Sequence, residues 1–500
     1  MIARLALASL RHRPWRSLFL LLGYGVGVGV MIVLLAIGQA MLSQARDERL
    51  VGGGQVTVLP EGIDLELMKT GGVGGMFFSI DHARFVYRQL LASPRLAPQI
   101  AAAAPQVEGT LLYLRAGDSL YPVRASGEIP SLSRAVGAVP PVIAGAWDDD
   151  SADVAWRDPT PAQLAAQIDH FHLPPPETEH PESWAEWHYF NVLSADHKRW
   201  AFVSVIVGGN VRSDRWGGEV LVTLREEGGR TRRFSAVVPA AQVRFSTDDA
   251  NLRIGTSSVT VLPDGRYRVH ARAGSEAGGS ERTGVVEVDL TITPRSGAYF
   301  PGASLAGGNE VSGYAVPALV ADGDGQICVD GRCERLQGVQ AYHDHNWGTW
   351  QGVTWEWGAA RAGQFGILYG RVHSADTAAD EPPLVVYVVD SLGFRALFRP
   401  REVRYTDTRT IIVDGRRVRV PASALLEDAR GGDTLRLALT IDDAIGTDTR
   451  RSTLERGDPA RERRLRTPYF IQMKGRAHVT GTLGGQRIDA TGWGFFETFR

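Results

Sequence analysis

From Ser17 to Leu42 no side chain carries a charge, and Leu, Val and Gly dominate the run. A membrane-spanning helix needs about 20 mostly apolar residues, so the pattern predicts one transmembrane helix over 17–42. The competing reading is a cleaved signal peptide, whose apolar region runs only about 7–15 residues. Gly23, Gly25, Gly27 and Gly29 form two overlapping Gly-xxx-Gly pairs, 23/27 and 25/29. That spacing lets another helix approach closely; the alternative is that membrane helices simply tolerate glycine. No second stretch of about 18 apolar residues follows.

Between 43 and 180 the pattern is mixed and predicts a small α/β region. Asp81–Leu91 and Leu96–Ala103 read as short helices, and Leu111–Val123 alternates like a pair of strands. The acidic stretch Trp147–Asp158 reads as a linker. Pro161–Phe171 has good helix formers, with Thr160 placed as N-cap and Pro161 at the first helical position. Pro174-Pro175-Pro176 ends it. Beyond Ser183 the period shortens to two. Apolar-polar alternation recurs in Trp200–Val207, Glu219–Leu224, Tyr267–Ala271, Val285–Thr293, Val385–Val389, Thr410–Val413, Leu435–Ile441 and His478–Thr482. Gly, Asp, Asn and Pro break these segments. The texture is that of an all-β sandwich or barrel. About 315 residues exceed one small barrel, which predicts two β-domains, 181–358 and 359–500.

Ile327-Cys328-Val329-Asp330-Gly331-Arg332-Cys333 holds both cysteines of the chain. Asp-Gly between strand-like runs is a strong two-residue hairpin signal. With Asp330 and Gly331 as the loop, Cys328 faces Cys333 in the closer, non-hydrogen-bonded pair. Their separation suits a disulfide, stable in an oxidising compartment; two free thiols are the alternative.

Charge adds topology. Arg4, Arg11, Arg13 and Arg16 precede the apolar run with Trp15 as an interface anchor, while Arg46 after it is offset by Asp47 and Glu48. This asymmetry places residues 1–16 in the cytoplasm and the bulk on the far side, which in a bacterial inner membrane is the periplasm. A net charge of -2 leaves no basic excess for nucleic acid.

The densest chemistry lies in Ala341-Tyr342-His343-Asp344-His345-Asn346-Trp347-Gly348, followed by Trp350, Trp355 and Trp357. On a strand, side chains alternate between faces. Tyr342, Asp344 and Asn346 then share one face, and His343, His345 and Trp347 the other. Glu186-Trp187-His188-Tyr189-Phe190 splits in the same way, with Trp187 and Tyr189 opposite Glu186, His188 and Phe190. Glu497, in the last strand-like segment, reads on its own as a surface residue. His343 and His345 could ligate a metal from one strand face, but no third ligand is evident nearby, so no metal is expected. No phosphate loop or serine nucleophile elbow occurs.

These motifs resemble the AttH/CrtC-type lipocalin-like family, which includes carotenoid 1,2-hydratase (hydroxyneurosporene synthase). The matching residues are Glu186-Trp187-His188-Tyr189-Phe190, Tyr342-His343-Asp344-His345-Asn346-Trp347-Gly348 and Gly494-Phe495-Phe496-Glu497. His188 stands where the family usually has a second tryptophan, and Ser312-Gly313-Tyr314 where the hydratases carry a His-x-Trp pair. The resemblance implies a mainly β chain: two consecutive lipocalin-like β-barrel domains after the transmembrane helix and the small region 43–180. Residues 2 to about 60, with Leu5-Ala6-Leu7-Ala8-Ser9-Leu10-Arg11-His12-Arg13-Pro14-Trp15-Arg16-Ser17-Leu18 and the glycine-rich span, resemble the start of MacB/FtsX-type permeases of ABC transporters. That implies an ABC transporter permease or ATPase as a partner.

Two functions follow as expectations. In the first, an anchored periplasmic module binds a lipophilic small molecule in an apolar cavity with a few placed polar groups. Glu186, Trp187, Tyr189, His343, His345, Trp347, Trp350, Trp355, Trp357 and Glu497 are the candidate ligand-binding residues. In the second, by resemblance, the protein is a hydratase acting on an isoprenoid-like alkene. Asp344 is then the catalytic acid, Tyr342 and Asn346 orient it or the water, and no cofactor is needed. Burial among aromatic rings raises a carboxyl pKa in the direction this requires.

Overall fold

The computed structural model describes residues 14–46, 84, 87–91, 93–138, 147–178, 181–226, 228–275, 284–307, 310–350, 353–373, 383–449 and 468–500. The arginines at 4, 11 and 13 lie outside the described residues, as does most of 47–86. The chain divides into two compact units: 1–87 with 100–157, and 88–99 with 158–500.

In the first unit, α1 (Pro14–Arg46) is a continuous helix. Its segment Ser17–Ala36 is the one span among the described residues that is long and apolar enough to cross a membrane. Strands β1 (Gln106–Ala116) and β2 (Ser119–Glu128) form an antiparallel hairpin, wider than the expected 111–123. The stretch read as an acidic linker instead contains α2 (Ser151–Arg157). Asp150 caps it, its Oδ1 accepting from the backbone N–H groups of Ala152 and Asp153 at 2.7 and 2.9 Å. Three acidic residues in a row thus mark a helix start rather than a solvated connection.

The second unit opens with α3 (Pro161–Ala165), shorter than the expected 161–171. Thr160 and Gln163 cap each other, with Gln163 N–H on Thr160 Oγ1 at 3.2 Å and Thr160 N–H on Gln163 Oε1 at 2.9 Å. Residues 166–176 then leave the helix and run over the first sheet.

That sheet has 12 strands, all its pairings antiparallel. It takes β3 (Trp184–Leu193), β4 (Arg199–Gly209), β5 (Trp216–Glu226) and β6 (Thr231–Pro239), then the short β7 (Val243–Phe245), β8 (Leu252–Ile254) and β9 (Ser257–Val261). It continues with β10 (Tyr267–Ser275), β11 (Val285–Pro294), β12 (Phe300–Gly307), β13 (Glu310–Val329) and β14 (Arg332–Thr349). β14 pairs with β13 on one side and β3 on the other, so neither of its edges is free; from Val339 to Thr349 both of its faces are buried. The β13–β14 hairpin turns at Asp330-Gly331, both at positive φ, in the register Val329↔Arg332 and Cys328↔Cys333, and a disulfide joins the two cysteines.

The second sheet has 9 strands in the order β18-β17-β16-β15-β23-β22-β21-β20-β19. They are β15 (Thr354–Ala362), β16 (Phe365–His373), β17 (Val385–Asp390), β18 (Gly393–Phe398), β19 (Arg404–Val413), β20 (Arg416–Arg430), β21 (Asp433–Asp448), β22 (Tyr469–Leu483) and β23 (Gln486–Phe499). Each sheet has its own apolar interior. Val203, Val220, Phe234, Val269 and Ile292 lie in the first, and Ile367, Val386, Leu426, Leu437 and Val479 in the second.

A third buried cluster joins residues of both sheets. It takes Tyr189, Trp200, Phe202, Tyr314 and Tyr342 from the first and Trp357, Leu368, Tyr387, Ile445 and Phe495 from the second. Its polar fastener is Asp443 on β21. Arg225 of β5 grips it with two hydrogen bonds (Nε to Oδ2 2.8 Å, Nη2 to Oδ1 2.9 Å), and Trp200 Nε1–H donates to Oδ2 at 3.0 Å. Removing one partner of a buried pair leaves the other charge uncompensated. Asp443→Ala is therefore expected to lower the unfolding free energy by about 3–5 kcal/mol, read from urea denaturation followed by tryptophan fluorescence. A loss within about 0.5 kcal/mol, the range of an ordinary surface substitution, would show that the fastener does not hold the sheets together.

Candidate functional site

Register decides which side chains meet. Across β14 and β3 the partners are Asp344↔Tyr189, Asn346↔Trp187, His343↔Phe190, His345↔His188 and Trp347↔Glu186. Directly opposed residues share a face. One face of this strand pair therefore carries Tyr342, Asp344, Asn346, Trp187 and Tyr189, and the other Glu186, His188, Phe190, His343, His345 and Trp347. The residues expected to form one ligand site fall into two separate groups.

The first group meets the second sheet. There Glu497 of β23 stands between Trp357 of β15 and Gln472 of β22. Trp357 Nε1–H donates to the Tyr342 hydroxyl at 2.9 Å, and that hydroxyl donates to Asp344 Oδ2 at 2.7 Å. Asn346 Nδ2–H donates to Asp344 Oδ1 at 2.6 Å. Trp355 Nε1–H donates to Glu497 Oε2 at 2.9 Å, and Gln472 Nε2–H to the Tyr189 hydroxyl at 2.7 Å. Both carboxyls are buried, Asp344 4% exposed and Glu497 8%. The surface position expected for Glu497 is thus corrected: the facing sheet covers it.

Burial decides the protonation of this pair. For Asp344 the loss of water is the largest influence and the nearby Glu497 adds to it. Hydrogen bonds from Tyr342 and Asn346 oppose both without overcoming them, so the carboxyl is pushed up to about 8. Burial likewise pushes Glu497 up to about 7, against hydrogen bonds from Trp355, Tyr189 and Gln472. Burial thus holds both groups toward the neutral acid, Asp344 more strongly than Glu497. The Asn346 amide can present either its NH2 or its oxygen, which serves both states of Asp344.

A chain of aromatic rings lies near this pair. Trp187 and Trp350 lie 4.9 Å apart between centroids, Trp350 and Trp355 5.8 Å, Trp355 and Phe499 4.7 Å, and Trp355 and Phe470 5.3 Å. Trp187, Asn346, Trp355, Phe470 and Phe499 are half-buried, whereas Tyr342, Asp344 and Trp357 behind them are buried.

The second group lies inside the first sheet, beneath residues 166–176. Asp169 from that segment reaches His345 (Oδ1 to Nδ1 2.6 Å) and accepts from the Tyr267 hydroxyl. His345 Nε2 is 3.1 Å from Glu186 Oε1, and Glu186 also accepts from the backbone N–H of His172. The His172 ring stacks on Trp347 at 3.9 Å. For His345, desolvation works against the charged form, but hydrogen bonds and the charges of Asp169 and Glu186 prevail, raising it to about 9. Asp169 is held well below the carboxylate range despite the opposing pull of burial, through His343 and His345. Burial drives His188 well below the usual imidazole value, aided by His345. The sequence shows no third group near His343 and His345; the fold brings Asp169 and His188 to His345, with their donor atoms within 4.8 Å of one another. Nothing around Asp169 in the sequence marks it, since its partners stand 98 and 176 positions away.

No family model matches the chain, and no curated protein matches it in sequence. Similar solved structures include an AttH-type protein of Nitrosomonas europaea, 16% identical over 66% of this chain and 97% of that one, with a TM-score of 0.42. CghA with Sch210972 is 15% identical over 64% and 89%, at 0.39. Kievitone hydratase from Nectria haematococca is 11% identical over 66% and 97%, also at 0.39. At such identities and scores nothing about activity follows.

The raised carboxyls give stability a definite pH dependence. Between the ordinary value of 3.8 and about 8, folded Asp344 keeps a proton that the unfolded chain has lost. Stability therefore falls as pH rises through that window and the loss is complete above it. Asp344→Asn removes the group, so between about pH 5 and pH 7 its stability should fall less steeply than the wild type's, by up to about 1.4 kcal/mol per pH unit. Parallel curves from denaturant titrations across this range would show Asp344 to be ionised in the fold.

Proposed function

We propose that the junction of the two sheets handles a lipophilic, alkene-bearing small molecule and that Asp344 protonates it. The observation that carries this reading is the pair of buried carboxyls, Asp344 and Glu497, held by Tyr342, Asn346 and Trp355 where the two sheets meet, with burial pushing Asp344 up more than Glu497. Two carboxyls whose environments set their pKa values apart fit the roles of acid and base. The higher value belongs to the proton donor. Asp344 gives its proton to the less substituted alkene carbon, and the positive charge forms on the more substituted one. The faces of Trp355, Trp357 and Tyr342 stabilise a cation by their quadrupoles. Water bonds to that carbon and releases a proton to ionised Glu497, and passage of this proton to Asp344 restores the starting state. Addition of an internal hydroxyl or alkene in place of water gives a cyclisation by the same step. Tyr342 and Asn346 hold the Asp344 carboxyl in place.

A second reading, a carrier of the same class of molecule, is favoured by the apolar helix Pro14–Arg46. In it the helix anchors the chain in an inner membrane with the N-terminus cytoplasmic and the β-sheets periplasmic, beside an ABC transporter subunit. A reporter enzyme fused after Arg500 should then be active only when exported; cytoplasmic activity would overturn this topology.

The readings separate on one substitution. Asp344→Asn keeps shape and removes the acidic proton. With a terminal isoprenoid alkene as probe, turnover should fall by at least about 100-fold, the lower range of general-acid contributions, while binding changes little. Unchanged turnover would refute the acid role. No turnover in the wild type, together with retained binding in both proteins, would leave the carrier reading standing.

A further inference from the structure

Among the described residues, one group of three His, Cys, Asp or Glu side chains brings its ligand atoms within 4.8 Å of one another: Asp169, His188 and His345, all buried. It lies inside the first sheet, on the opposite face of β14 from Asp344, and the chemistry proposed above makes no use of it. Buried histidines ordinarily spend both ring nitrogens on hydrogen bonds. Here His188 Nδ1, His343 Nε2 and His345 Nε2 have no hydrogen-bond partner, although His345 Nε2 lies 3.1 Å from the Glu186 carboxylate.

The far atoms of the cluster explain how those nitrogens are aimed. His188 Nε2 faces the Ala250 carbonyl at 2.8 Å, which only a protonated Nε2 can satisfy, so Nδ1 of a neutral ring keeps its lone pair. His343 Nδ1 faces the Tyr189 carbonyl at 3.1 Å and its Nε2 lies 3.8 Å from Asp169 Oδ2, so an ion that displaces the proton between them meets an Nε2 lone pair. His345 Nε2 has the Glu186 carboxylate at 3.1 Å, and its Nδ1 points at Asp169 Oδ1. Asp169 Oδ2 is held in turn by the Tyr267 hydroxyl. His188 and His343 are thus fixed from behind by carbonyls, His345 has the Glu186 carboxylate behind it, and each ring presents a nitrogen toward Asp169. Metal-binding histidines are oriented in this way.

We infer that this cluster is a structural zinc site, with Asp169, His188 and His345 as ligands and with His343, which lies outside that close group with its Nε2 3.8 Å from Asp169 Oδ2, moving in as the fourth. Three imidazoles and a carboxylate suit zinc in type and number, and four protein ligands make a closed, non-catalytic site. Zinc–nitrogen bonds of about 2.0–2.1 Å put neighbouring ligand atoms about 3.3 Å apart. The donor atoms of Asp169, His188 and His345, within 4.8 Å of one another, close by at most about 1.5 Å per pair to reach that spacing. The ion replaces the proton shared by His345 Nδ1 and Asp169 Oδ1. It ties residues 166–176, through Asp169, to β3 and β14, as a metal clip that closes a long loop.

The test uses the full chain, purified in detergent from zinc-supplemented cells. Elemental analysis should find about one equivalent of zinc after exhaustive dialysis against metal-free buffer. Asp169→Asn and His188→Gln should retain less than about a tenth of it, while Asp344→Asn, on the other face of the strand, should keep it all. Should the two ligand variants fail to fold, cobalt(II) in the wild type decides: intense visible bands of a four-coordinate nitrogen and oxygen site support the assignment, and the weak bands of the hydrated ion overturn it. Folded wild type that holds no zinc, and whose melting temperature is unmoved by added zinc, also overturns it. So does zinc held equally well by Asp169→Asn and His188→Gln.

Discussion

Both faces of β14 are buried, and both carry ionisable groups. Taking a charge out of water costs several kcal/mol unless it is paired or neutralised, and the two faces meet that cost in opposite ways. Toward the interior of the first sheet, Asp169 stays charged because His345, a phenol and further imidazoles surround it. Toward the second sheet, the groups that bond Asp344 are a phenol and an amide, another carboxyl lies nearby, and the charge of His345 on the other face acts on it only weakly. Asp344 accepts burial by keeping its proton. A side chain displaced by one position along this strand would exchange these environments, because the pleat alternates with a period of two.

The second sheet makes the acid possible. Without β15 and β23 against it, the Asp344 face would be solvated and its carboxyl would ionise as in water. Trp357, Glu497 and the shared aromatic cluster remove that water, and the Arg225–Asp443 fastener holds the two sheets in contact. The half-buried rings of Trp187, Trp355 and Phe499 leave an apolar approach at the edge of the junction. The arrangement is a buried acid among aromatic rings, where the two sheets meet.

Much of this was legible in the sequence because it depends on local periodicity. The uncharged run from Ser17, the alternating segments beyond Ser183, the Asp330-Gly331 turn and the division of 342–347 between two faces all follow from neighbours in the chain. What escaped depends on distant partners. Glu497 reads as a surface residue because nothing in Gly494–Arg500 indicates that Trp355 and Tyr189 will cover it. Asp169 reads as the end of a helix because the two residues that bind it come from β10 and β14. The acidic 147–158 reads as a linker because a single capping aspartate is hard to tell from a solvated one. A histidine pair two apart on a strand is ambiguous for the same reason: its meaning is set by what the rest of the chain places opposite it.

The central claim is that Asp344 is a neutral acid in the folded protein. The carbonyl stretch of a protonated carboxylic acid is separate from the bands of a carboxylate, so infrared difference spectroscopy of the wild type against Asp344→Asn reads the state of this group directly. At pH 7 the difference spectrum should show a protonated carboxyl assigned to Asp344, fading on titration with a midpoint near 8. A carboxylate signal at pH 7 that persists down to the usual range of an exposed aspartate would contradict the account.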